Sequence, residues 1–315
     1  MSDVDALISD LILKIKENVK DNAIIACSGG IDSTVAAYLV HTAIGDKATS
    51  IFIDTGLLRT NESKNVKKLF EKLGISYKIV DKHELFLNSL KNVVDPEEKR
   101  KIVGKCFIDS FIEVAKNINS RYLIQGTIAP DWIESGDSVR DTIKSHHNVG
   151  GLPSDIPLIV YEPLRDLYKD EIRKIAERIG IENAYRQPFP GPGFAIRVYG
   201  DVTEERVNIV RGATDVVERI VEDAVKKGLI RLPWQYFAIF LPVKSVGVKG
   251  DLRSYGYTIV VRIVESTDAM TASVSNIPFD VLEDISSKIC SLYSSDISRV
   301  LYDITSKPPG TIEWE

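Results

Sequence analysis

The chain has 315 residues, an apolar fraction of 44% and a formal net charge of −5. That length exceeds one ordinary core and suits two, and the composition excludes the disordered and membrane-spanning classes. The negative balance argues against a nucleic-acid binder that works through a broadly basic surface. The first residues, Met1-Ser2-Asp3-Val4-Asp5, are acidic where a secretory leader would be basic, so a cytoplasmic protein is expected.

Residues 5–19 carry apolar side chains at helical spacing, and the uninterrupted run Ala23–Cys27 then reads as a strand buried on both faces. A turn over 28–33 leads to a helix over 34–44, a strand over 48–53 and an amphipathic helix over 61–73 closed by Gly74. A third strand is expected at 77–80, a long helix at 96–117 and a fourth strand at 122–125. Strands alternating with helices in this manner imply an α/β fold with a doubly wound, mainly parallel sheet. Ligands of such sheets bind at the C-terminal ends of the strands, where the loops after 27, 53 and 125 fall.

From 126 to 157 the periodicity is lost, and a long loop or lid is expected. Helical order resumes over 168–179, and the proline- and glycine-rich stretch 188–193 reads as a rigid junction. Beyond it, a helix at 204–227, strands near 236–243 and 255–264, a helix near 279–293 and a final strand suggest a smaller α+β domain. The expected division is therefore 1–187, lid included, and 188–315. Cys27, Cys106 and Cys290 lie far apart with no CxxC pair, and are read as small apolar residues rather than ligands or a disulfide framework.

The most informative loop is Ser28-Gly29-Gly30-Ile31-Asp32-Ser33, followed by Thr34. A buried strand that runs through two glycines into a helix presents backbone N–H groups to an anion at the positive helix end. Glycine lets the backbone approach closely. Ser28, Ser33 and Thr34 offer hydroxyls, and Asp32 is suited to a magnesium ion bridging phosphates. Neither GxxxxGK[ST] nor GxGxxG is present at this place.

This SGGIDS loop, with Asp54-Thr55-Gly56 after the second strand, resembles the N-type ATP pyrophosphatases. In that family the loop holds the β and γ phosphates, which leave together as pyrophosphate. Further stretches resemble the GMP synthase family: 126–135 (GTIAPDWIES), 143–153 (IKSHHNVGGLP), 187–193 (QPFPGPG), 240–248 (FLPVKSVGV) and 307–315 (KPPGTIEWE). The likeness runs from about residue 5 to residue 315.

The resemblance implies a ligase that uses ATP and magnesium to adenylate O2 of xanthosine monophosphate (XMP), after which ammonia displaces AMP to give GMP. It implies that Lys144 and Lys169 handle ATP, that Asp131 and Glu134 act in the active site, and that Arg59 steadies a closed lid. Gln235, Arg299, Lys307, Thr311, Ile312 and Glu313 match XMP contacts. His146 and His147 are adjacent, with no third ligand at suitable spacing, so contact with phosphate or proton transfer suits them better than a metal. No cysteine lies in a glycine-flanked elbow of the kind a glutaminase nucleophile needs. The chain thus resembles the synthetase subunit of the two-subunit form, with a separate glutaminase subunit as partner and a homodimer formed through the C-terminal domain. The weighed alternatives are another N-type ATP pyrophosphatase, such as NAD synthetase or a tRNA-sulfurating enzyme, and a nucleotide-binding regulator without turnover.

Overall fold

The structure is a computed structural model and describes residues 3–129, 158–181, 186–267 and 269–315. Two compact units divide the chain: one is built from 1–54, 61–82 and 107–186, the other from 55–60, 83–106 and 187–315.

In the first unit, β1 (Ala23–Cys27), β2 (Ala48–Asp54), β3 (Tyr77–Asp81), β4 (Tyr122–Ile124) and β5 (Ile159–Tyr161) form a sheet in the order β3-β2-β1-β4-β5. Every pairing is parallel. The order reverses between β1 and β4, so the crevice at their C-terminal ends is the expected ligand position of a doubly wound sheet. Helices α1 (Asp3–Asn18), α2 (Ile31–Ile44), α3 (Glu62–Leu73) and α6 (Lys169–Arg178) belong to this unit. Ile24, Ile25, Phe52, Phe70, Val35 and Leu39 are fully or almost fully buried, which explains why β1 reads as one unbroken apolar run.

Helix α2 begins at Ile31, three residues before the periodicity suggested. The reason is local: glycine ends the turn, and Asp32 and Ser33 suit a first helical turn. Strand β5 carries only three residues and was hidden by the irregular stretch before it.

The second unit contains α4 (His83–Ser89), the first part of α5 (Pro96–Ile118), α7 (Glu204–Lys226) and α8 (Phe279–Leu292). Its sheet pairs β6 (Gln235–Lys249) with β7 (Leu252–Glu265) as one long antiparallel hairpin, with irregular register between Leu241 and Ser245. β7 also pairs with the short β8 (Ser273–Val274) and, in parallel, with β9 (Ile297–Tyr302). The two strands expected near 236–243 and 255–264 are thus arms of a longer hairpin. Short α4 and β8 lack enough periodicity to be seen beforehand.

Candidate active site

The loop between β1 and α2 is held by its own residues. Ser28 N–H donates to Ser33 Oγ at 3.2 Å, and Gly30 N–H to Ser28 Oγ at 3.3 Å. Ser33 Oγ and Thr34 Oγ1 donate to Gly30 O at 3.1 and 2.8 Å. Thr34 is 1% exposed, and its hydroxyl steadies the turn. Gly29 has φ +82°, and a Cβ there would lie 2.9 Å from Val66 Cγ2. Only glycine meets both conditions without strain. Gly30 caps α2 without a side chain, which leaves the first-turn N–H groups to an external acceptor.

Asp32 projects from that first turn, and Lys169, the first residue of α6, donates to both of its carboxylate oxygens at 2.8 and 2.7 Å. The two residues singled out for cation and phosphate duty are therefore already partners. The loop after β4 comes equally close: a Cβ on Gly126 would lie 2.7 Å from Ser33 Cα. Asp54, at the end of β2, accepts from Ser63 Oγ. One wall beside Gly29 is Glu62, whose carboxylate takes a bidentate pair from Arg186 at 2.9 and 3.0 Å.

In the second unit, the tail 307–315 is docked. Ile312 packs against the cluster of Phe237, Ile239 and Val260, and Trp314 Nε1 donates to Asp303 Oδ2 at 2.9 Å. Glu313 receives both arms of Arg197, at 3.0 and 2.7 Å, and Gln235 Nε2 reaches it at 3.4 Å. Arg197 is 1% exposed and stacks 3.8 Å from the Phe237 ring centre, so its charge is met by a carboxylate and a π face together. Arg299 lies on β9 and donates to Ser245 Oγ at 3.2 Å, whereas Lys307 donates to Ala269 O at 2.9 Å. Gln235 and Glu313 are brought together; Arg299 and Lys307 stand apart from them, each on its own partner.

Comparison with known proteins fits both halves. The model of the GMP synthase C terminal domain matches residues 222–314, and that of NAD synthase matches 4–121. The B-subunit of GMP synthase [glutamine-hydrolyzing] from Thermoplasma volcanium is 53% identical, covering 98% of this chain and 99% of its own. The corresponding protein of Methanocaldococcus jannaschii is 53% identical with full coverage of both chains. The chain belongs to the GMP synthase family.

A longer member, the GMP synthase [glutamine-hydrolyzing] of Malacoplasma penetrans, is 54% identical over 96% of this chain, which spans 60% of that protein. Membership makes the chain a ligase that uses ATP, and the NAD synthase likeness of 4–121 covers strands β1, β2 and β3 of the parallel sheet. Of the residues that the GMP synthase resemblance singled out, Asp131, Glu134, Lys144, His146 and His147 lie outside the described residues. Arg59 is not a surface residue: it is 7% exposed, with Glu218 at 3.1 Å, Gln187 O at 3.2 Å and the Phe189 ring centre at 4.6 Å. Those described contacts are all with residues of its own unit. Sequence reasoning missed Arg197, Lys99, Arg262 and Glu62: none lies in a motif, and Lys99 is one of a run of five charged residues, 97–101, that reads as a solvated helix face. Cys27 is buried, and burial pushes its thiol up to about 12, which suits a packing residue and not a nucleophile.

Proposed function

We propose that this chain is the synthetase component of a GMP synthase. O2 of XMP attacks the α phosphorus of ATP; the α–β oxygen bond breaks and pyrophosphate leaves. Ammonia then adds at C2, AMP departs with the former O2, and loss of a proton from nitrogen gives GMP. What carries this reading is the loop 28–34, where a helix N-terminus without a side-chain cap lies beside a carboxylate and a lysine.

The free N–H groups and Gly29 suit the β and γ phosphates. Asp32 has the right donor type and is only partly exposed, so it is the residue we assign to magnesium. Magnesium, when bound with ATP, would offset the charge gathering on the departing pyrophosphate. Lys169 would exchange Asp32 for phosphate oxygens, with Lys144 serving from the lid. We assign Asp131, Glu134, His146 and His147 to ordering ammonia and moving its protons, and Arg59 to supporting the segment 55–60 that follows Asp54.

Recognition of XMP is assigned to the C-terminal domain, 188–315. There Glu313 and Gln235 suit the purine edge, Arg299 and Lys307 suit the 5′-phosphate, and Thr311 and Ile312 complete the wall. A separate glutaminase subunit would supply ammonia, in keeping with relatives that are named as one subunit of their enzyme and with the greater length of the Malacoplasma penetrans protein. A homodimer through the C-terminal domain is supported by exposed apolar side chains along the β6–β7 hairpin, Val243, Val248, Leu252 and Tyr255 being 60, 79, 76 and 63% exposed. No helix among the described residues is long and apolar enough to cross a membrane.

Purified protein with ATP, magnesium, XMP and ammonium should yield GMP, AMP and pyrophosphate. Release of ADP, or ATP cleavage that ignores XMP, would overturn the assignment. Glutamine alone should not replace ammonium; if it does, no separate glutaminase is needed.

A further inference from the structure

The tail is gripped by three cations that solvent does not reach. Arg262, 0% exposed, donates to Thr311 O at 2.9 Å and pairs with Asp303 at 3.1 Å. Arg197 holds Glu313. Lys99, 0% exposed, donates to Glu315, to Val198 O at 2.8 Å and to Ala195 O at 3.2 Å. Gly200 N–H adds a bond to Glu315 Oε1 at 2.9 Å, and Arg100 donates to the main-chain oxygen of Glu315. The attachments fall on residues 311, 313 and 315, every second residue, while Ile312 between them enters the apolar cluster.

The grip differs along its length. The Glu313 side chain keeps 16% of its exposure, whereas those of Lys99 and Glu315 keep 0 and 2%. A ligand can reach Glu313 but not the pair two residues on. A buried ion pair is weak as a source of stability, because desolvation offsets most of the attraction. What it does supply is position: Glu315 has few places to go once Lys99, Gly200 and Arg100 hold it.

We propose that Lys99 is a positioning residue for recognition of the purine nucleotide, acting through Glu315 on the placement of Glu313 and never touching the nucleotide itself. The proposal rests on the reading that the tail takes XMP. Without the anchor, residues 313–315 would fray, and the nucleotide would have to order them as it binds. That ordering entropy would be subtracted from its affinity alone. Binding of ATP at the loop 28–34 would be unchanged.

Steady-state kinetics of the full chain, with ammonium as nitrogen donor, test this. Lys99→Met should raise KM for XMP about tenfold, the order expected when about one residue's worth of backbone freedom must be given up on binding, with kcat and KM for ATP within about twofold. If that variant does not fold because Glu315 is left buried and unpaired, Lys99→Met with Glu315→Gln removes both charges and should show the same selective rise. An unchanged KM for XMP in the folded variant overturns the proposal. So does an equal rise for both substrates with a fall in kcat, which would mean general damage. Glu313→Gln separates the two levels: if it shifts KM for XMP and Lys99→Met does not, only the anchor is wrong. If Glu313→Gln also leaves KM for XMP unchanged, the assignment of the tail fails and the proposal with it.

Discussion

The loop proposed to hold phosphate consists of consecutive residues, 28–34, that bond mainly to one another, whereas the tail is held by side chains from residues 99, 197, 235 and 262. The loop needs small side chains and free backbone N–H groups, and the one charged side chain within it is Asp32. The tail site relies on charges buried at 0–1% exposure, each matched by a carboxylate or carbonyl. A site of the first kind binds anions by leaving backbone donors unmet; one of the second kind fixes geometry by meeting every charge in advance.

The contrast can be broken most severely at Asp32. Asp32→Ala removes the proposed magnesium carboxylate and leaves Lys169 without that partner, so pyrophosphate release should fall by about 10³-fold, the scale of losing one electrostatic catalytic group. Thermal unfolding should scarcely move, since the pair is partly exposed. In the tail the pattern should invert. Arg197→Met leaves the Glu313 carboxylate with only Gln235, and the loss of a buried partner costs about 3 kcal/mol of stability. Denaturant titration should register this, along with a raised KM for XMP and an unaltered KM for ATP.

A milder change sharpens the account of the loop. Gly29→Ala must take φ +82° with its Cβ 2.9 Å from Val66, so strain of about 1–2 kcal/mol is expected. ATP affinity measured by calorimetry should fall about tenfold, while KM for XMP stays put.

Why the loop was legible and the tail site only half so follows from these same features. Glycines and hydroxyls must be contiguous to form a turn, so Ser28 to Thr34 can be read in order. The parallel sheet was legible for a related reason: strands such as Ala23–Cys27 are buried on both faces and stay apolar throughout. Arg197, by contrast, gains its meaning from Glu313, which lies 116 residues away, and nothing in the stretch around it marks the pairing. Tail residues Gln235 and Glu313 came from resemblance to a family, not from spacing. Arg59 too came from resemblance, and its burial against Glu218 and Phe189 is set by the fold, with nothing in the stretch around it to announce it.

The smallest expected effect concerns acid. Burial pushes the Asp303 carboxyl up, but hydrogen bonds from Thr305 and Trp314 and the Arg262 charge outweigh it, so the group lies below its ordinary 3.8. The unfolded chain therefore takes up this proton more readily. Its contribution is complete above that ordinary value and is lost as pH falls through the depressed one. Asp303→Asn should flatten the acid side of the stability profile in pH-dependent thermal melts and leave the neutral side parallel to wild type.

The central claim is that O2 of XMP itself takes the adenylyl group. Turnover of XMP carrying oxygen-18 at O2, followed by mass spectrometry of the products, tests it directly. The label should appear in the phosphate of AMP, one atom per GMP formed. Unlabelled AMP, or label in pyrophosphate or water, would contradict it.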